Sequence, residues 1–174
     1  MGGAVVAAAA PAGAIPPTRS WGVSANGLTH IFPVAEATPF FTPAVSSGVN
    51  VPTFITTGGI LDRVSSTAAF ANVGSPKIYL GSQYNQFNAT NAMSSCRIIF
   101  GTTFGSTTIQ AGAITGIGLP NIPVLRNPAP NTKIFLPGFT LTFNKQTVVA
   151  GIRTVTAIYV QSFLQNLSVG VSRC

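Results

Sequence analysis

The segment Phe139-Thr140-Leu141-Thr142-Phe143-Asn144 alternates apolar and polar positions without a fault, and Leu167-Ser168-Val169-Gly170-Val171-Ser172 does the same. A period of two marks a strand with one buried face and one outward face. Between these runs, residues 147–160 are rich in Thr, Val and Ile, which fit a pleated surface. That stretch reads as a long strand or a hairpin broken near Gly151. Turn chemistry at Gly58-Gly59, from Gly116 to Pro120 and at Pro137-Gly138 separates further short strands. The run from Ala7 to Ala10 is too short to stand as a helix. The pattern predicts an all-β domain over residues 51–174, a sandwich or jelly-roll-like barrel.

The first third follows a different rule. Pro11, Pro16, Pro17, Pro33, Pro39, Pro43 and Pro52 exclude long helices and push the residues before them into extended conformations. Residues 1–50 therefore read as a Pro/Gly-rich extended N-terminal arm. Its apolar anchors, Trp21, Phe32, Phe40 and Phe41, call for burial against a partner.

One motif recurs: Lys77-Ile78-Tyr79-Leu80-Gly81, Arg97-Ile98-Ile99-Phe100-Gly101 and Lys133-Ile134-Phe135-Leu136-Pro137-Gly138 each place a basic residue before three apolar ones and a Gly turn. The favoured reading is a short buried strand led by a charged gatekeeper. The alternative is a weak anion contact at Lys77, Arg97 and Lys133.

Composition changes the picture most. The only acidic residues are Glu36 and Asp62, against nine Lys or Arg, with 46% hydrophobic and 6% charged residues. A compact chain of this mass exposes roughly 8,000 Å², so its charges are spread at about one per 700 Å². Soluble surfaces carry far more, and the exterior is expected to be covered by copies of the chain, other proteins or lipid. No apolar run reaches the length of a spanning helix, so a transmembrane span is not expected. No Lys or Arg precedes the apolar start, which does not fit a secretory signal. Cys96 and Cys174 are too few for a disulfide framework. Two ordinary thiols are the expectation, with one bridge or an intermolecular link as alternatives.

Catalytic equipment is scarce. His30, Glu36 and Asp62 are the chief candidates for acid–base work, and Asp62 beside Arg63 suggests a local charge pair in a turn. There is no G-x-S-x-G elbow, no P-loop and no metal-ligand spacing among His30, Cys96 and Cys174. The expectation is a non-enzyme without metal or cofactor. The basic residues are scattered with no two adjacent, so nucleic-acid binding, if present, would be weak and non-specific. The sequons at Asn88 and Asn166 are what chance gives, since eleven asparagines at this Ser/Thr content produce about two matches.

In character, a charge-poor, Pro/Gly-punctuated β chain with an extended arm resembles the minor or cement proteins of large icosahedral virus capsids. The resemblance implies a structural assembly subunit of a virion, holding neighbouring subunits together, with copies of itself or other structural proteins as partners. An extracellular filament or pilus subunit using strand or arm exchange is the first alternative. A weak nucleic-acid or anionic-ligand binding module is the second.

Overall fold

The computed structural model describes residues 18–82 and 84–174. These form strands β1 (Arg19–Gly27), β2 (Ile31–Val34), β3 (Ala44–Ser46), β4 (Asn50–Val51), β5 (Ile55–Thr56) and β6 (Ile60–Val64). Next come β7 (Ala68–Gly74), β8 (Lys77–Ser82), β9 (Asn85–Asn88), β10 (Asn91–Ile99), β11 (Thr102–Gln110) and β12 (Ala113–Gly116). The chain ends with β13 (Leu119–Pro123), β14 (Thr132–Leu136), β15 (Phe139–Val149), β16 (Ile152–Ser162) and β17 (Gln165–Arg173). The domain is all-β, as its alternating pattern predicts.

The back layer is one six-stranded antiparallel sheet in the order β14-β15-β16-β17-β1-β2. The front layer consists of a five-stranded sheet, β11-β10-β7-β6-β3, and a six-stranded one, β13-β12-β9-β8-β5-β4. The two front sheets share five passes of chain, and β13 is added at the edge of the second. The pairs β3/β4, β5/β6, β7/β8, β9/β10 and β11/β12 are each one ribbon interrupted at a common level, and they keep the same order on both sides of the interruption. Backbone hydrogen bonds stitch the ribbons along that line: Gly58 N–H to Gly74 O, Gly74 N–H to Gly59 O, and Thr90 N–H to Gln110 O. The neighbours in each layer follow chain order except in the back layer, where β1 pairs with β17 from the far end of the chain, so the sandwich is largely a meander closed by its first and last strands.

At the interruption the inward-facing positions change parity. Ala69, Ala71 and Val73 point inward on β7, then Ile78 and Leu80 on β8; Phe87 and Ala89 give way to Ala92, Ser94 and Cys96. Ser75 and Ala111, both with positive φ, sit at this line. The back layer has a matching line through Asn144 (φ 51°), Ala157, Gly170 (φ 62°) and Gly22. At Ser75, Ala111, Asn144 and Gly170 the residue in the left-handed region reverses the side-chain alternation of its strand. On β16, Ile158 and Val160 are buried on one side of the line and Val155 on the other; on β17, Leu167 and Val169 give way to Ser172 and Cys174.

Each layer thus folds along a crease, and the creases face each other. A Cβ on Gly170 would lie 3.2 Å from Ala157 Cβ and 3.4 Å from Ala92 O, and one on Gly22 would overlap Ile60.

The creases divide the interior in two. One half is apolar: Ile55, Ile78, Leu80, Phe87 and Ile114 pack on Leu141, Phe143, Ile158, Val160 and Leu167, with Phe87 and Phe143 ring centroids 5.5 Å apart. The other half holds buried Thr18, Ser20, Asp62, Ser94, Thr107 and Ser172. It is closed by a Cys96–Cys174 disulfide between β10 and the chain end. The expectation of two thiols is corrected: β17 carries Cys174 back over β10 to a Cα–Cα separation of 5.7 Å, which is bridging distance.

The arm boundary is also redrawn. Residues 1–17 of the expected arm lie outside the described residues, but Arg19–Gly27 is an interior strand between β17 and β2, with Val23 and Ala25 in the core. Trp21 is half-buried in that strand, its indole N–H donating to Ser24 Oγ at 3.0 Å.

Candidate interaction surfaces

Both ends of the sandwich present large apolar side chains. At the disulfide end, the β10–β11 hairpin turns through Phe100 (φ 48°) and Gly101 (φ 77°), and the β15–β16 hairpin turns through Ala150 (φ 49°) and Gly151 (φ 78°). Two consecutive positive φ values make these the tight turns that match strand twist, and Asn-Gly is the pair best suited to them. Phe100 instead occupies a strained position and is fully exposed. A bulky aromatic held at positive φ with nothing of its own chain to pack on is not explained by folding.

The cleft beside it is lined by Thr67, Ile98, Gly151 and Cys174, with a volume of about 310 Å³. Val148, Val149, Phe40 and Phe41 are also exposed. The Phe40–Phe41 turn is tied to this end through the Ser20–Ala37 bridge, the Thr42 hydroxyl that accepts the Val64 N–H, and the Thr18 hydroxyl that donates to Ser65 O. At the opposite end, Leu28, Phe163 and Leu164 are exposed on neighbouring turns, Phe163 at 99%. A second apolar cleft of about 300 Å³ opens there over Phe54, Phe139 and Leu167.

The sequence-predicted anchors separate accordingly. Phe32, Phe40 and Phe41 are exposed on their own chain, and Trp21 is built into the sheet. The structure does not gather the candidate anion contacts Lys77, Arg97 and Lys133, which lie on β8, β10 and β14 of three different sheets. The recurring motif forms a core-facing strand twice. Ile78 and Leu80 are buried on β8 and Ile134 and Leu136 pack half-buried against the same core from edge strand β14, with Phe135 73% exposed on its outer face, whereas Ile99 and Phe100 end a hairpin, so the buried-strand reading fails for the second copy.

The residues considered for acid–base chemistry are dispersed. His30 is exposed and meets Phe32 in a tilted ring contact with centroids 4.7 Å apart, and Glu36 makes an exposed ion pair with Arg19 at 3.5 Å. Asp62 is not in a turn beside Arg63. It sits within β6, and strand alternation turns its carboxyl inward and Arg63 outward. Neither carboxyl oxygen has a hydrogen-bond partner of good geometry among the described residues. Burial pushes its pKa up to about 8, while the backbone amide of Asn72 pulls the other way.

Among the described residues no group of three or more His, Cys, Asp or Glu could hold a metal ion, and no helix is long and apolar enough to cross a membrane. No family model, curated protein or solved structure matches the chain.

Proposed function

We propose that the chain is a structural, non-enzymatic assembly subunit, acting as a minor or cement-type component of a virion shell. Phe100 is the observation that carries this reading. Holding a Phe in the left-handed region costs about 1–2 kcal/mol, and here it yields no intramolecular burial, so its return is a contact with a neighbour. Phe40, Phe41, Val148 and Val149 extend the same apolar end, and with Asp62 interior the surface keeps only the nine basic residues and Glu36 to hold it in water. The disulfide fits a particle exposed to an oxidising exterior.

A head-to-tail filament is the second reading, favoured by the apolar residues at the opposite end, Leu28, Phe163 and Leu164.

The test is sedimentation velocity of the oxidised chain at neutral pH, beside Phe100→Asn and a Phe40→Ser/Phe41→Ser variant, with electron microscopy of any assemblies. Wild type is expected to self-associate and both variants to lose association. Phe100→Asn should at the same time be more stable than wild type in denaturant, because Asn suits the turn. A wild-type monomer at high concentration, or variants that associate unchanged, refutes the proposal. Closed or sheet-like particles support the shell, and linear ones the filament.

A further inference from the structure

The outer face of the back layer carries a cationic cleft that the assembly reading does not use. Lys133 on β14 stands opposite Thr142 on β15, and Thr142 opposite Tyr159 on β16, so one row crosses three strands. Lys145 lies beyond the crease residue Asn144, and its ammonium sits over the Tyr159 ring, 3.2 Å from the centroid. With Asn131, Thr140 and Gln161 these residues line a cleft of about 220 Å³. Asn131 Oδ1 accepts the Gln146 backbone N–H, which leaves its NH₂ to donate.

We infer that this cleft binds a single phosphate-type oxyanion, held between the Lys133 and Lys145 ammonium groups with donors from Asn131 and Gln161. Two like charges share the site, and the chain has no carboxylate to offset them there. Glu36 is paired with Arg19, and Asp62 lies in the interior between the layers. Partial burial, and secondarily the Lys133 charge, hold the Lys145 ammonium below the usual lysine range, which is the electrostatic cost an anion would relieve.

The aromatic ring narrows the choice of ligand. Stacking a nucleobase needs a free ring face, and Lys145 covers a face of Tyr159. The phosphate group is therefore the recognised element, whether free or within a phosphodiester backbone. This inference does not rest on the assembly proposal.

The test is calorimetry and amide-resolved NMR on the full-length oxidised chain. It is titrated with inorganic phosphate and, separately, with an oligothymidylate, at ionic strength matched with chloride. Saturable binding with shifts at Lys133, Lys145 and Gln161 is expected. Lys133→Met and Lys145→Met should each weaken it at least tenfold, and Lys77→Met should leave it unchanged. Gln161→Glu, on an exposed position that does not bear on folding, should also weaken it at least tenfold by placing a carboxylate on the rim. Binding by phosphate alone assigns a free anion, and binding only by the oligonucleotide with the same lysine dependence assigns a backbone phosphate. Absence of saturable binding by either probe, or affinity unchanged in the Lys133 and Gln161 variants, overturns the inference.

Discussion

Asp62 should make this domain less stable as pH rises, the reverse of ordinary acid denaturation. Its carboxyl is fully buried on β6, in a cross-strand row with Ala71, Ser94 and Thr107, and no cation faces it in that row. In the folded chain it titrates near pH 8, against 3.8 for an ordinary aspartate. Between those values the folded state holds a proton that the unfolded chain has released. Stability is therefore fully present below about pH 4 and is lost as pH climbs towards 8, at roughly 1.4 kcal/mol per pH unit. From pH 4 to pH 7 the loss is ~4 kcal/mol, a large part of the 5–15 kcal/mol that a domain typically has. Asp62→Asn removes the ionisation and keeps the shape. Urea unfolding of the oxidised chain between pH 4 and pH 8 is the assay. Wild type should lose stability steadily, and the variant should be nearly flat and more stable by several kcal/mol at pH 7. If wild-type stability is level or rises over that range, or Asp62→Asn is destabilising at pH 7, the description of this carboxyl as buried, unpaired and protonated is wrong.

Other perturbations probe the layers and their closure. Replacing both Cys96 and Cys174 by Ala opens a loop of sequence separation 78; chain entropy assigns that closure ~4 kcal/mol, so the melting temperature should fall by about 10 °C, and an unchanged value would show that the bridge does not constrain the unfolded chain. Gly22→Ala should cost about 1–3 kcal/mol by overpacking, because the new methyl meets buried Ile60 across the crease. In an Ile60→Ala background that cost should largely vanish, and additive effects would separate the two positions. Gly170→Ala should cost about 1–2 kcal/mol from its positive φ alone, measurable by denaturant unfolding.

The parts of the fold legible in the sequence are those whose partners are close along the chain. Pro137-Gly138 closes the β14–β15 hairpin, and Ala150-Gly151 breaks the 147–160 stretch into two strands, because a tight turn fixes register locally. The creases carry turn residues that do not tell a reset from a reversal. Ser75 lies between Gly74 and Pro76, Ala111 precedes Gly112, and Asn144 ends a faultless alternation, and each takes a positive φ and resets which neighbours face inward. Gly58-Gly59 reads as a turn for the same reason, although it lies within one ribbon that runs through β5 and β6. The arm boundary drawn at residue 50 followed the prolines, whereas the strand that pairs with Arg19–Gly27 lies at the far end of the chain, where no local pattern points to it.

The cationic cleft shows how one reset hides a site. Uninterrupted alternation from outward-facing Thr142 would send Lys145 inward, to the opposite face from Lys133. The left-handed turn of backbone at Asn144 returns Lys145 to the outer face, over Tyr159. Asn144 is held there by donating its side-chain NH₂ to Pro128 O at 2.9 Å and accepting at Oδ1 from Gln146 Nε2 at 2.9 Å. The side chain that brings two lysines to one cleft is therefore a buried amide whose role depends on backbone conformation, which a periodicity of two cannot express.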